Sequence, residues 1–228
     1  EITVCSENAF PSVFRKKRPI CTRKPQSRRA ASPSMARNVR ILVIGGDGGT
    51  YDIGFQSLSG AMERGTDMTY FCYDNNAYMN TGTQRSSATP QFASATTTPA
   101  GVESVGKKQT QKDLTQIVVA HGSPYVAQTT LYGNMKDFHE KAHRAIYTAG
   151  PTFVNVLTPC PRGWNYPAEN LLEICKAAID TCVWPLYEVV EGEYHLTYEP
   201  KKKLPVEEVI TICALCAVLL ISEVSADL

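Results

Sequence analysis

A single aspartate stands among glycines in the stretch GGDGGTYDIG, residues 45–54. Glycines that directly follow a strand let main-chain N–H groups approach an anion closely, and the helix that comes next offers its positive end to the same anion. This environment suits a phosphate, which the bare carboxylate of Asp47 would repel. Mg²⁺ takes oxygen ligands and commonly bridges carboxylates to phosphates. The stretch therefore predicts a phosphate site that contains Mg²⁺.

A second polar stretch, YDNNAYMNTG at residues 73–82, follows about one strand–helix–strand step later. It offers the side chain of Asn75 or Asn76 and a neighbouring main-chain carbonyl as further oxygen ligands. In an open α/β sheet, ligands bind at the carboxyl ends of the strands, where both stretches are expected to lie. The spacing fits neither the GxxxxGK[ST] of a P-loop nor the GxGxxG of a dinucleotide site. We therefore expect both stretches to bind one ligand.

Together the two stretches resemble the thiamine-diphosphate motif, in which GDG (here 46–48) is followed about one βαβ step later by N or NN (here 75–76). Three longer segments are GDGGTYDIGFQSLSGAMERG, CYDNNAYMNTGTQRSSATP and LTPCPRGW. They resemble the beta subunits of the 2-oxoacid:ferredoxin oxidoreductases, in particular pyruvate:ferredoxin oxidoreductase, also called pyruvate synthase. The resemblance runs from about residue 40 to residue 208.

The resemblance assigns roles to individual residues of this chain. It implies that Asp47 and Asn75 bind Mg²⁺ through their side chains and that Ala77 binds it through its carbonyl. Asn80 and Thr81 would reach toward the diphosphate and the thiazolium, which makes Asn80 the candidate catalytic residue. The glycines that would line the diphosphate are Gly46, Gly48 and Gly49.

The chain contains eight cysteines, which are expected to be reduced thiols in a protein of this size without a secretory signal. By the resemblance, Cys160 in TPCPRGW would be one thiolate ligand of an iron–sulfur cluster near the thiamine. Cys5 and Cys21 lie outside the expected context of the other ligands, so a stable cluster is not expected in this chain. The pair Cys213 and Cys216 has aliphatic neighbours and is not interpreted as a metal site.

The activity that the resemblance implies is oxidative decarboxylation of pyruvate to acetyl-CoA and CO₂, a reaction of anaerobic metabolism. The cofactors would be thiamine diphosphate and Mg²⁺, and iron–sulfur clusters would pass the electrons to ferredoxin. An alpha subunit would supply the glutamate that activates the cofactor, and gamma and delta subunits would complete the complex. The isolated chain is therefore expected to be inactive.

Three alternatives remain open. The first is a sister enzyme that acts on branched-chain or aryl 2-oxoacids. The second is a non-oxidative thiamine enzyme such as a decarboxylase, which the NTGTQRSSATP stretch and Cys160 disfavour. The third is a non-catalytic remnant with a basic, nucleic-acid-binding arm: residues 1–40 have a net charge of +8, residues 41–228 have −7, and the total is +1. The basic segment has no interleaved aromatic residues, so a nucleic-acid partner is not expected.

The elements that position these residues follow from hydrophobic periodicity. They predict an α/β fold, a parallel-sheet thiamine-diphosphate-binding fold with helices on both faces. A polar loop, functional or disordered, is expected at 79–110, and a hairpin is expected around Glu191-Gly192. The helix at 52–65 should be capped by Asp52. The predicted strands are 40–45, 68–73, 115–121 and 152–160, and the predicted helices are 52–65, 135–150 and 167–184.

Three segments are expected: an irregular basic segment at 1–39, the cofactor-binding domain at 40–208 and an atypical apolar tail at 209–228. Both ends depart from the family pattern, as a truncated chain, a shifted reading frame or a faulty gene model would. The apolar run VITICALCAVLLI at 209–221 is too short to cross a bilayer, and no signal peptide is apparent. The composition thus predicts a cytoplasmic protein with no membrane contact.

Overall fold

The computed structural model describes residues 40–206 of the 228-residue chain. The strands are β1 (Leu42–Gly46), β2 (Thr69–Asp74), β3 (Ala77–Tyr78), β4 (Gln84–Arg85), β5 (Ala100–Gly101), β6 (Ser104–Val105), β7 (Tyr125–Thr130), β8 (Thr152–Leu157), β9 (Tyr187–Val190) and β10 (Glu193–Leu196). The helices are α1 (Phe55–Glu63), α2 (Leu114–Ala120), α3 (Met135–Tyr147), α4 (Pro161–Trp164) and α5 (Leu171–Asp180).

The main sheet has six strands in the order β1-β2-β8-β7-β9-β10. The four strands β1, β2, β8 and β7 run parallel, as the strand–helix–strand pattern of the sequence predicts. The hairpin of β9 and β10 continues the sheet in antiparallel orientation next to β7. Its turn contains Glu191 at φ 50° and Gly192 at φ 91°, so the predicted hairpin is confirmed with two left-handed turn residues.

Helices cover both faces of the sheet, and the predicted fold class is confirmed. On one face, α1 and α2 bury apolar side chains against strands β2, β7 and β8. On the other face, α3 packs Phe138 and Ala145 against Val154 and Val156 of β8. A third apolar cluster joins α5 to Trp164 and Trp184 near the carboxyl edge of the sheet. The central parallel strands β7 and β8 are consequently buried along their whole length, as parallel strands generally are, whereas the edge strand β1 is partly exposed.

The strand predicted at 115–121 is wrong, because these residues form α2. The β-branched run of this segment favours a strand, but tertiary packing decides otherwise. The side chain of Asp113 accepts a hydrogen bond from the main-chain N of Gln116 and caps the helix. Leu114 and Val118 then lie one turn apart on the buried face. The strand follows this helix instead: it is β7, which the sequence interpretation missed.

All three predicted helices are shorter than expected, and two of them also begin later. The glycine-rich stretch continues as a π-helical turn, Gly48–Ile53, and α1 begins only after Gly54. The prediction that Asp52 caps this helix is wrong, because its carboxylate accepts hydrogen bonds from the main-chain N and the hydroxyl of Ser87. The helix predicted at 167–184 is a 3₁₀ turn, Ala168–Asn170, followed by α5, which ends at Asp180.

The segment predicted at 79–110 as a functional or disordered loop is folded against the site and contains the short strands β4, β5 and β6. The expectations for 1–39 and 209–228, including Cys5, Cys21, Cys213 and Cys216, lie outside the described residues. Within residues 40–206, no helix has the length and apolar character needed to span a bilayer.

Candidate functional site

The two polar stretches meet at the carboxyl edge of the sheet, where β1 and β2 end side by side. Gly46 of β1 is opposite Tyr73 of β2, so the segments that follow the two strands leave the sheet side by side. Asp47 is buried, with 1% of its surface exposed. Its Oδ1 atom lies 3.4 Å from the main-chain N of Asn75. The two stretches therefore lie next to each other at the carboxyl ends of the strands, as expected from the sequence.

Asp47, Asn75 and Ala77 bring three polar groups together. One terminal atom of the Asn75 amide lies 3.0 Å from Oδ1 of Asp47 and 2.8 Å from the carbonyl oxygen of Ala77. If this atom is the amide nitrogen, it donates to both oxygens; if it is the oxygen, three oxygens converge and need a cation. Mg²⁺ binds oxygen at about 2.1 Å in octahedral geometry, which places adjacent ligands about 3 Å apart. The spacing of these groups thus fits a Mg²⁺ site.

Asp74 shapes the turn that presents Asn75, although the sequence interpretation gave it no role. Its Oδ1 accepts hydrogen bonds from the main-chain N of Asn76 at 3.0 Å and from the side-chain Nδ2 at 2.8 Å. These bonds hold Asn76 in the left-handed region at φ 66°, which asparagine tolerates better than most residues. The hydroxyl of Tyr51 donates to Oδ2 at 2.8 Å and accepts from Nδ2 of Asn155 at 2.7 Å. The turn is therefore fixed by a buried polar network.

The loop after β4 supplies two further contacts that the sequence interpretation missed. Ser86 donates its hydroxyl hydrogen to Oδ2 of Asp47 at 2.5 Å. Thr89 donates its hydroxyl hydrogen to the carbonyl oxygen of Asn76 at 2.5 Å and accepts from the main-chain N of Ser86 at 2.9 Å. Both residues belong to the QRSSATP segment. The hydroxyl side chains of this segment, which follows closely after the asparagine stretch, are the sequence feature that could have indicated these contacts.

The electrostatics of the site favour a cation. Burial, together with the neighbouring carboxylate of Asp74, raises the pKa of Asp47 above its ordinary value. Burial also raises the pKa of Asp74, although hydrogen bonds from Tyr51 and Asn76 act in the opposite direction. Two buried carboxylates without a counter-charge are costly. A divalent cation between Asp47 and Asn75 would offset that cost.

The glycines of the first stretch differ in what surrounds them. A Cβ on Gly48 would lie 2.3 Å from the ring of Tyr78, whose hydroxyl donates to the Gly48 carbonyl at 2.9 Å. Gly48 is therefore required by close packing. A Cβ on Gly46 or Gly49 would meet nothing within 4 Å, so these residues border open space beside the buried carboxylate. That space is where a bound anion has room.

Asn80 and Thr81 lie in an exposed turn after β3. The hydroxyl of Thr81 donates to the side-chain oxygen of Gln84 at 2.5 Å, and the Thr81 carbonyl accepts from the Gln84 amide at 2.8 Å. The structure thus brings Asp47, Asn75 and Ala77 together and leaves Asn80 and Thr81 on the rim. Their role toward a cofactor stays a prediction.

Cys160 stands near the same edge of the sheet, just after β8. Leu157, which ends β8, is opposite Asp74 in the register of the sheet. Cys160 directly precedes α4, and Trp164 at the end of that helix donates from Nε1 to the carbonyl of Asn75 at 2.9 Å. No group of three or more His, Cys, Asp or Glu residues is arranged to hold a metal in the described part of the chain. The cluster role of Cys160 stays a prediction.

Comparisons with known proteins agree with this geometry. A family model described as "Thiamine pyrophosphate enzyme, C-terminal TPP binding domain" matches residues 29–156. Pyruvate synthase subunit PorB of Methanocaldococcus jannaschii is 52% identical over 172 residues, which cover 75% of this chain and 57% of the relative. The PorB subunit of Methanosarcina barkeri is 50% identical over 171 residues, again 75% of this chain and 57% of the relative.

A relative with a different name is nearly as similar. Ketoisovalerate oxidoreductase subunit VorB of Pyrococcus horikoshii is 44% identical over 176 residues, which cover 75% of this chain and 56% of that subunit. The chain thus spans less than two thirds of the length of the curated relatives that it matches.

Proposed function

The chain belongs to the thiamine pyrophosphate enzymes with a C-terminal cofactor-binding domain, and we propose from this premise that it binds thiamine diphosphate through Mg²⁺. We propose further that it acts as the beta-type subunit of a pyruvate:ferredoxin oxidoreductase. The similarity to two pyruvate synthase subunits supports this second step.

The observation that carries the proposal is the convergence of Asp47, Asn75 and Ala77. Their polar atoms lie 2.8 and 3.0 Å from one another across the central amide. A purely structural role would need only one hydrogen-bonding amide at this point. It would not explain why a buried carboxylate stands beside the open space at Gly46 and Gly49. A cation with a diphosphate on its far side accounts for both features.

Thiamine diphosphate, when bound, supplies the electron sink for decarboxylation of a 2-oxoacid. The residues of this chain contribute positioning and charge compensation. Asp47 and Asn75 would hold Mg²⁺ through their side chains, and Ala77 would hold it through its carbonyl oxygen. Gly46 and Gly49 would border the diphosphate. Asn80 and Thr81, on the exposed rim, are proposed to meet the part of the cofactor that a partner subunit covers.

The proposed complex contains alpha, gamma and delta subunits and uses pyruvate, coenzyme A and ferredoxin. Complete turnover would also need iron–sulfur clusters, to which Cys160 would contribute a thiolate only if other cysteines joined it. A second candidate function is oxidation of branched-chain 2-oxoacids, which the similarity to the VorB subunit favours. Assay of the assembled complex with pyruvate and with 2-ketoisovalerate separates the two, because the preferred substrate gives the higher kcat/KM.

The binding step is tested by calorimetry on the full chain. Titration with thiamine diphosphate should give saturable heat in the presence of Mg²⁺ and none after chelation. Asp47→Ala should abolish this binding, because it removes the only carboxylate among the three proposed ligands. Glu63→Ala is the matched control, since Glu63 is an exposed carboxylate on α1 and its loss changes the net charge equally.

Two results would contradict the proposal. One is undiminished Mg²⁺-dependent binding by Asp47→Ala, which would place the cation elsewhere. The other is a lack of Mg²⁺-dependent binding by the unaltered chain while its circular dichroism shows a folded protein.

A further inference from the structure

The two oxygens of Asp47 face different partners. Oδ1 is directed to the Asn75 amide and its main-chain N, at 3.0 and 3.4 Å. Oδ2 accepts the hydroxyl hydrogen of Ser86 at 2.5 Å. Both oxygens accept a hydrogen bond, but only Oδ1 lies beside the Asn75 amide, so Oδ1 faces the proposed cation site while Oδ2 is held by Ser86.

Ser86 is itself firmly held. It is buried, with 1% of its surface exposed. Its main-chain N donates to the hydroxyl of Thr89, and Thr89 in turn donates to the carbonyl of Asn76. One loop thus contacts both sides of the proposed site, the carboxylate through Ser86 and the asparagine turn through Thr89. The position of the Ser86 hydroxyl is set by the same loop that supports the asparagine turn.

Carboxylate geometry distinguishes the two common divalent cations. Mg²⁺ requires a near-ideal octahedron of oxygens at about 2.0–2.1 Å, which monodentate carboxylates satisfy. Ca²⁺ accepts six to eight oxygens at about 2.3–2.6 Å and readily takes a carboxylate through both oxygens. A hydrogen bond that fixes Oδ2 away from the cation therefore favours Mg²⁺.

We propose that Ser86 is a positioning residue that sets the preference of this site for Mg²⁺ over Ca²⁺ by keeping Asp47 monodentate. The inference rests on the proposed cation site and adds the residue that determines its selectivity. Ser86 acts through Asp47, since its hydroxyl hydrogen is donated to the Oδ2 atom of that carboxylate.

The neighbouring serine provides a matched control. The Ser87 hydroxyl donates to Asp52 rather than to Asp47, and the Ser87 main-chain N also donates to Asp52. Ser86→Ala and Ser87→Ala each remove one hydroxyl from adjacent positions of the same loop. Only the first substitution frees the second oxygen of Asp47.

The test measures metal selectivity of the full chain at saturating thiamine diphosphate. Bound Mn²⁺ is followed by electron paramagnetic resonance and displaced with Mg²⁺ or Ca²⁺, which gives both dissociation constants. Ser86→Ala should raise the Mg²⁺ dissociation constant by about tenfold or more, as loss of a residue behind a metal ligand generally does. The Ca²⁺ constant should stay the same or fall, and Ser87→Ala should leave the ratio of the two constants unchanged.

The outcomes separate this inference from the proposed function. If the unaltered chain binds Mn²⁺ but Ser86→Ala loses Mg²⁺ and Ca²⁺ affinity equally, the role of Ser86 is overturned and the cation site stands. The same holds if Ser86→Ala loses neither affinity. If the unaltered chain binds no Mn²⁺, both proposals are overturned. If Ser86→Ala does not fold, Ser86→Cys decides the same question, because its thiol fills a similar space but is a weak donor.

Discussion

At the scale of single residues, the site depends on groups that hold the proposed ligands in place. Asp74 is fully buried and accepts hydrogen bonds from both the Asn75-Asn76 turn and Tyr51. Tyr51 lies four residues after Asp47, so its hydroxyl ties the glycine stretch to the end of β2. The Tyr51 phenol is therefore one of the buried contacts that link the two stretches, beside the contacts of Asn75 with Asp47 and of Tyr78 with Gly48.

Removal of that phenolic hydroxyl tests the link. Tyr51→Phe should lower the free energy of unfolding by about 1–3 kcal/mol, because a buried carboxylate oxygen of Asp74 loses its donor. Urea denaturation followed by circular dichroism measures the change. Tyr73→Phe is the control: that side chain is half exposed, and its substitution should change stability by less than about 0.5 kcal/mol. Equal effects of the two substitutions would show that the buried link is unimportant.

At the scale of elements, the glycine-rich turn combines one tightly packed position with positions that border open space. Gly49→Ala should leave stability nearly unchanged and weaken thiamine diphosphate binding, since the added methyl group enters the space left for the anion. Gly48→Ala should instead destabilise the fold by about 1–3 kcal/mol, because its Cβ would overlap the ring of Tyr78. Calorimetric binding and urea denaturation on both variants check this division. Loss of stability in Gly49→Ala would argue against open space beside Gly49.

The same elements show what the sequence could and could not predict. Strands β1 and β2 and the hairpin were predictable, because each joins an apolar run to glycine or asparagine turn residues. Helix α2 was not, because its run of Ile117, Val118 and Val119 favours a strand and only packing against β7 and β8 selects the helix. The proposal that Asp47 and Asn75 are ligands followed from motif and resemblance. The contact of Ser86 with Asp47 did not, because it joins residues 39 positions apart through a loop with no periodic pattern.

At the scale of the whole molecule, one face of the sheet is left partly uncovered in the described part of the chain. Helix α3 covers β7 and β8 but leaves the β1 edge exposed: Ile41 is 51% exposed and Ile44 is 59% exposed. Beside them lies an apolar groove of about 150 Å³, lined by Ile44, Phe71, Tyr73, Leu131, Phe138 and Val156. Grouped apolar side chains of this kind mark surfaces that associate with other molecules.

That surface should make the isolated chain self-associate as its concentration rises. Ile44→Thr keeps a β-branched residue in the strand but replaces the ethyl group of the side chain with a hydroxyl. It should therefore weaken the association while changing the free energy of unfolding by less than about 1 kcal/mol. Sedimentation velocity over a range of concentrations measures the effect. Val102→Thr is the control, because Val102 is fully exposed and lies outside the groove. A monomer at every concentration, or equal effects of both substitutions, would show that the β1 face does not drive association.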